Sequence, residues 1–326
     1  MEFEKLPRIK IANLPTPLER CANLSECFAE CDIWVKRDDL TGHSFGGNKE
    51  RKLEFILAEA IRQGAKAVVT IGALQSNHCR ITAGLANRLG LEAHLILIAD
   101  SDSPRMEANY FIDTLMGAKI HLAASKQADA KIQSVMEKLD SEKKKPYFIK
   151  GGGHSTLGTA GYVQALKELN EQTQAMKMKP DWLIATNGTG TTQAGLVAGK
   201  ALFGFAGKII GISIARKRQR CIDEVLSMAN GFFDLTGNER KEEFDIAVYD
   251  EYLGEGYGAP TDEALRATRL LAEKEGMVLD PVYNAKAFSG MIDLIKKRKI
   301  KGNIIYLNTG GCPGIFTMEN IENATS

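Results

Sequence analysis

From about residue 65 onward the chain alternates short apolar runs with stretches of helical spacing, and no other feature restricts its fold as strongly. The runs fall at 67–71, 94–98, 119–122, 147–149, 182–185, 209–214, 246–249 and 303–307. Several are apolar throughout rather than at every second residue, the pattern of parallel strands covered on both faces. Among the helical stretches, 49–63 is the clearest. Its Leu53, Ile56, Leu57, Ala60 and Ile61 fall at i, i+3, i+4, i+7 and i+8 and form one apolar stripe. The alternation predicts an open α/β architecture with right-handed crossovers, in which ligands sit beyond the carboxyl ends of the strands. At 326 residues there is room for two domains, taking roughly 150 residues for each. Nothing resembles a flexible linker, so two domains would share a broad interface.

Charge and composition remove several classes of function. The formal net charge is +1, which argues against nucleic acid or an anionic membrane as a partner, since both demand a basic surface. No apolar run approaches the ~20 residues that span a bilayer. The opening segment MEFEKLPRIK is charged and lacks the apolar stretch of a secretory leader, so a cytoplasmic protein is expected. The six cysteines (Cys21, Cys27, Cys31, Cys79, Cys221 and Cys312) are too sparse for a disulfide scaffold. Cys21, Cys27 and Cys31 lie close together but form no CxxC pair, and the nearest histidine is His43. Reduced thiols, rather than a metal site, are expected there.

Four polar or glycine-rich segments could carry chemistry. In GGNKERK (46–52), Asn48 is a candidate N-cap that puts Lys49 in the first turn of the amphipathic helix. The partial positive charge at a helix start disfavours an ammonium, and a lysine that is neutral part of the time can attack an aldehyde. The same segment reads also as a solvated basic turn of Lys49, Arg51 and Lys52. In QSNHCR (75–80), Ser76, Asn77 and His78 open the next helical stretch, where free N–H groups bind carboxylates; ordinary capping by Ser76 or Asn77 is the other reading. TNGTGTTQAGL (186–196) follows a strand and places Gly188, Thr189, Gly190, Thr191 and Thr192 before a helix, a cradle for phosphate. It half-matches a dinucleotide fingerprint, but Gln193 holds the third glycine position and the next strand ends without an acid for ribose. Walker-type lysine spacing is absent too, so a lone monophosphate fits better than NAD or ATP. In NTGGCPGIF (308–316), Thr309 could offer a hydroxyl to a ring nitrogen, or the segment is a tight turn. Together these are the parts of a pyridoxal phosphate site. A nicotinamide oxidoreductase and a non-catalytic binding protein are the competing classes.

With those segments in view, the chain resembles the D-cysteine desulfhydrases and 1-aminocyclopropane-1-carboxylate (ACC) deaminases, fold-type II pyridoxal-phosphate enzymes. The likeness runs through WVKRDDLTG (34–42), GGNKERKLE, QSNHCR, GGGHSTLGTAGY (151–162), the phosphate loop, YGAPT (257–261), LDPVY (279–283) and NTGGCPG, in order along nearly the whole chain. It implies two open twisted α/β domains of the tryptophan synthase β type, a large one at 1–50 plus 156–326 and a small one at 51–155, with the cofactor between them. It implies that Lys49 forms the Schiff base, that Asn77 contacts the cofactor's ring oxygen, that Gly188–Thr192 hold its phosphate and that Thr309 faces the pyridine nitrogen. Ser76, Asn77 and His78 would clamp the substrate carboxylate, and Tyr257 and Tyr283 match the family's two active-site tyrosines. It further implies a homodimer.

Two positions separate the branches of the family. The deaminases carry glutamate directly after DPVY and leucine in place of Thr309, whereas here Asn284 follows Tyr283. QSNHCR also resembles the desulfhydrases more than the deaminases' QSNQTR. A weaker electron sink suits loss of a good β leaving group, so the expectation is a carbon–sulfur lyase acting on D-cysteine. ACC deaminase and L-cysteate sulfo-lyase are the alternatives. The chain departs from the desulfhydrase pattern at Asn308, in the phosphate loop, at His154 in place of serine, and at His43-Ser44-Phe45. The last two are expected to reshape the substrate pocket.

Overall fold

Each of the eight apolar runs is a strand in the computed structural model, which describes residues 3–317. Residues 1–2 and 318–326, the outermost parts of the opening segment and of the expected large domain, lie outside the described residues. In chain order the strands are β1 (Leu18–Arg20), β2 (Cys31–Arg37), β3 (Ala67–Ala73), β4 (Glu92–Ile98), β5 (Lys119–Ala123), β6 (Tyr147–Ile149), β7 (Trp182–Asn187), β8 (Lys208–Ser213), β9 (Ala247–Tyr249) and β10 (Gly302–Asn308). The helices are α1 (Ala22–Ser25), α2 (Asn48–Arg62), α3 (Asn77–Arg88), α4 (Ala108–Leu115), α5 (Ala128–Ser141), α6 (Thr156–Ala175), α7 (Thr191–Phe203), α8 (Arg218–Thr236), α9 (Asp262–Glu275) and α10 (Asn284–Lys296).

Two sheets result. The larger has the order β1-β2-β10-β7-β8-β9 and is parallel except for the β1–β2 edge; the smaller, β5-β4-β3-β6, is wholly parallel. Both are covered on two faces, which is why several of their strands are apolar throughout. On the larger sheet, residues of α6, α7 and α8 such as Val163, Val197 and Phe232 fill one face, and Leu271, Phe288 and Met291 of α9 and α10 fill the other. On the smaller, Leu53, Leu57 and Ile81 of α2 and α3 oppose Val135 and Leu139 of α5.

The pattern misses β1 and β2. In β2, Ile33 and Val35 are fully buried as an alternating strand requires, but Lys36 is 1% exposed where an apolar residue is ordinarily found. Its amine bonds Glu168 at 2.5 Å and the Thr16 carbonyl at 2.6 Å. The reading of Arg51 and Lys52 as a solvated turn is likewise overturned, since each is 1% exposed. Arg51 donates to Asp38 (2.8 Å) and Glu168 (2.9 Å), and Tyr162 donates to Asp38 at 2.7 Å. This buried cluster ties α2 to β2 and α6. The expected domain boundary after residue 50 falls inside α2, while Ser155 caps α6 by accepting from Gly158 N. Helix α6 lies close on two neighbours. A β-carbon on Gly161 would stand 2.5 Å from the Arg51 carbonyl oxygen, and one on Gly195 of α7 2.5 Å from that of Thr159.

Candidate active site

The carboxyl ends of strands from both sheets converge on one cavity of about 410 Å³. Ile71, Gly72 and Ala73 come from β3, Thr186 from β7, Ala215 and Arg216 from the loop after β8, and Thr309 and Gly310 from the turn after β10. Parallel strands end together, so their following loops share this edge. Lys49, Ser76, Asn77, His78, Gly188, Thr189, Gly190, Thr192, Tyr257, Tyr283 and Thr309 all line the cavity. Thr191 does not; its hydroxyl lies 3.0 Å from His154 Nδ1. Neither His154 nor the His43–Phe45 turn reaches the lining, so the expectation that they reshape the pocket is not met, and Phe45 points to solvent.

Lys49 is the second residue of α2. Asn48 is not the N-cap: Gly47 holds that position without a side chain, at φ 131°. A β-carbon there would lie 3.0 Å from the Thr309 carbonyl, so only glycine lets the two turns approach. Asn48 instead accepts from Lys49 Nζ (2.9 Å) and donates to Thr192 Oγ1 (3.2 Å). Burial, opposed by Asp280 and reinforced by Arg80, pushes the Lys49 amine down to about 8. Such an amine is partly neutral near physiological pH and therefore nucleophilic.

Ser76 caps α3, its hydroxyl accepting from Cys79 N at 3.2 Å, and also faces the cavity. Asn77 Oδ1 accepts from Arg80 (2.7 Å) and Asn109 (2.9 Å), which leaves Nδ2 as its donor to a ligand. Asn109 lies in no motif of the sequence, and Arg80 closes QSNHCR without a role assigned to it there; both emerge through this contact. His78 departs from its expected part in a carboxylate clamp. Thr70 gives its own proton to the Ile149 carbonyl (2.7 Å), so the 2.8 Å contact with His78 requires Nε2–H as donor. Nδ1 then carries a lone pair and has no partner among the described residues. Burial, with Lys49 and Lys52 nearby, pushes this imidazole well below its ordinary value, so it stays neutral. A lone pair repels a carboxylate, and the Ser76–His78 segment can offer it only the serine hydroxyl, the Asn77 amide and backbone N–H groups.

At the opposite end, α7 begins after Gly190 (φ 88°) and presents unpaired N–H groups beside Gly188, Thr189 and Thr192. The sequence reading missed two basic groups here. Lys52 is buried with no hydrogen bond or ion pair among the described residues, and burial and Lys49 hold its amine well below the usual lysine range. Arg216 lines the cavity with an Nη1 lacking a hydrogen bond. Lys52, buried without a partner among the described residues, and the half-buried Arg216, whose Nη1 lies 3.6 Å from Glu224, stand beside a helix start and describe an anion cup. Arg216 also lies near where a dinucleotide site would need an acid.

Thr309 Oγ1 lies 3.1 Å from Asn284 Oδ1, which also accepts from Thr309 N (3.0 Å). Asn284 Nδ2 donates to Asp280 Oδ1 (2.7 Å) and the Gly310 carbonyl (2.5 Å), fixing the amide's orientation. On the remaining wall the hydroxyls of Tyr257 and Tyr283 are in direct contact. Burial raises both phenols, Tyr283 strongly, so both keep their protons at neutral pH.

These residues suit a flat aldehyde-bearing ring with a phosphate arm: an amine for the aldehyde, a cationic cup for the phosphate, and Asn77 and Thr309 for the ring. Two open parallel sheets facing each other across such a cleft are the fold-type II architecture of pyridoxal-phosphate enzymes, and that is the class the fold defines. The chain belongs to the pyridoxal-phosphate dependent enzyme family, whose profile matches residues 9–310. It is 34% identical over 325 residues to a D-cysteine desulfhydrase of Serratia proteamaculans, covering 97% of both chains. It is 37% identical over 321 residues to a mitochondrial bifunctional D-cysteine desulfhydrase/ACC deaminase of Arabidopsis thaliana, covering 94% of this chain and 78% of that protein. The crystal structure of an ACC deaminase homologue superposes with a TM-score of 0.90 at 32% identity, over 99% of this chain and 97% of that one. The protein is thus a pyridoxal-phosphate dependent enzyme of the D-cysteine desulfhydrase and ACC deaminase group.

Proposed function

We propose that the enzyme is a carbon–sulfur lyase that eliminates the β substituent of a small amino acid, with D-cysteine giving pyruvate, sulfide and ammonia. The observation that carries this reading is the opposition of a base and an acid across one cavity: the Lys49 amine at about 8 against two phenols held protonated. Pyridoxal phosphate, when bound, supplies the electron sink that acidifies the α-carbon of an attached amino acid. Lys49 would hold it covalently, Asn77 and Thr309 would face its ring, and Lys52 with Gly188–Thr192 would take its phosphate. The substrate carboxylate would lie against Ser76, Asn77 and the start of α3. Lys49 is then the group suited to take the α-proton, and a tyrosine of the Tyr257–Tyr283 pair to give a proton to the departing sulfur. Asn284, uncharged and committed to Thr309, places no carboxylate on the ring-nitrogen wall.

ACC deamination is the second reading, favoured by the same tyrosine contact and by the bifunctional name of the Arabidopsis relative. Assays of pyruvate and sulfide with D-cysteine, L-cysteine, β-chloroalanine, cysteate and ACC decide between them. Sulfide and pyruvate from D-cysteine are expected; pyruvate from ACC with none from D-cysteine reverses the assignment.

The proposal includes domains at 1–50 plus 156–326 and 51–155, a cytoplasmic setting and a homodimer. Six unpaired cysteines suit a reducing compartment. No helix among the described residues is long and apolar enough to cross a membrane. Phe111 and Leu115 of α4 and Phe316 of the turn packed on it are all at least half exposed, apolar side chains that a second copy would cover.

A further inference from the structure

His154 stands just outside the anion cup with both ring nitrogens engaged. Nδ1 lies 3.0 Å from Thr191 Oγ1, and Nε2 lies at ion-pair distance, 3.3 Å, from Glu224 Oε2 in the second turn of α8. Thr191 Oγ1 is in turn 3.5 Å from Thr189 Oγ1, and Thr189 lines the cavity. A line of four polar groups therefore runs from an acid on α8 to the wall of the cup. Helix α8 is seated firmly there, because a β-carbon on Gly190 would meet Glu224 Cβ at 3.2 Å.

Resting on the reading of this loop as a phosphate cup, we propose that His154 is a positioning residue whose protonation sets the direction of the hydroxyl chain that meets the anion. The Glu224 carboxylate 3.3 Å from Nε2 favours the ring proton on that nitrogen, so a neutral ring has a lone pair at Nδ1 and accepts the Thr191 proton. Thr191 Oγ1 can then only accept from Thr189, which draws the Thr189 proton away from the cavity. When Nδ1 gains a proton, it donates to Thr191, Thr191 donates to Thr189, and the Thr189 proton turns toward the ligand. One proton taken up at the ring thus converts a wall oxygen from an acceptor, which repels an anion, into a donor, which binds it.

The charged groups around the ring set its state. Glu224 favours the imidazolium; Lys52 from α2, Arg216 from the loop after β8 and Lys150 before the glycine turn oppose it, and burial opposes it most. A dianion in the cup reverses that balance, so binding and protonation are linked, and each strengthens the other by the same factor.

Sulfate is the suitable probe, because it is tetrahedral and doubly charged at every pH concerned. The full-length chain, freed of cofactor, is titrated calorimetrically with sulfate at pH 6 and pH 8, beside His154→Ser. The wild type is expected to lose more sulfate affinity over that range than the variant, by up to about fivefold, and by reciprocity saturating sulfate raises the His154 midpoint, read by NMR, by about 0.7 pH units. The NMR midpoint tests the proposal in the unaltered chain, whether or not the variant folds. Tight binding with parallel pH dependence in both proteins, or a midpoint that sulfate leaves unmoved, overturns the role of His154 alone. Sulfate bound by neither protein at either pH overturns the phosphate cup as well.

Discussion

A lysine on the surface is an inert cation at neutral pH; Lys49 is not, because its burial removes the water that stabilises the charge. The rate at which apoprotein captures pyridoxal phosphate, followed by the yellow absorbance, should therefore rise about tenfold from pH 7 to pH 9 and level off above, as an amine titrating near 8 becomes neutral. Lys49→Ala should abolish that absorbance and lower turnover by about 10³-fold or more; retention of both would show that another amine does the work. Asn284→Ala should destabilise the fold by about 1–3 kcal/mol, measured by urea unfolding, because it strands the Thr309 N–H and the Gly310 carbonyl. At this scale the sequence pointed to the cavity where a residue type carries its own chemistry: Lys49, Ser76, Thr189 and Thr192 line it, and Thr191 does not. The sequence was illegible where the role depends on a neighbour. The His78 proton is assigned by Thr70, and Lys52 is an anion ligand candidate only because none of the described residues pairs with it.

Helices α2, α6 and α7 set the distance between the two ends of the cavity. The amine rides on α2, the cup opens α7, and α6 keeps the spacing through Gly161 and Gly195. Gly161→Ala should cost about 1–3 kcal/mol of stability and weaken cofactor retention, although residue 161 lies outside the cavity lining; equilibrium dialysis with pyridoxal phosphate reads the second effect. The buried cluster on the same helix should be costlier to break. Arg51→Ala leaves Asp38 and Glu168 buried without their main partner, for a loss of about 3–5 kcal/mol. Burial raises both carboxyls, but Arg51 and Lys36 outweigh it and hold them below their ordinary range. That stabilisation is complete above the carboxyls' unfolded values and disappears as pH falls through the folded ones, so wild-type unfolding temperature should drop on acidification more steeply than that of the variant. All eight strands inferred from apolar runs are present because parallel strands buried on two faces leave an unbroken signature. β1 is too short to show a period, and β2 hides behind the charges of Asp32, Lys36 and Arg37.

The two sheets and the cavity between them form a receptor whose ligand adds to its stability. Cofactor at about a hundred times its dissociation constant contributes about 2.7 kcal/mol, so stripping it should lower the unfolding temperature by about 4 °C in a chain of this size. Architecture was readable at this level from strand and helix alternation alone, and the glycine and threonine loops pointed to the right edge of each sheet. The order of strands was not readable, because it depends on which crossovers pass in front of others. That order places β10, the strand of highest residue number, between β2 and β7 in the middle of the larger sheet. A chain still being made on the ribosome can complete the smaller sheet once residue 149 has emerged. The larger one stays split in two until residues 302–308 leave the exit tunnel, and the turn with Thr309 arrives only afterwards. Fragments from interrupted synthesis or premature stop codons before Gly302 would consequently remain colourless and exposed to proteases, so possession of bound vitamin B6 certifies that translation ran past that point.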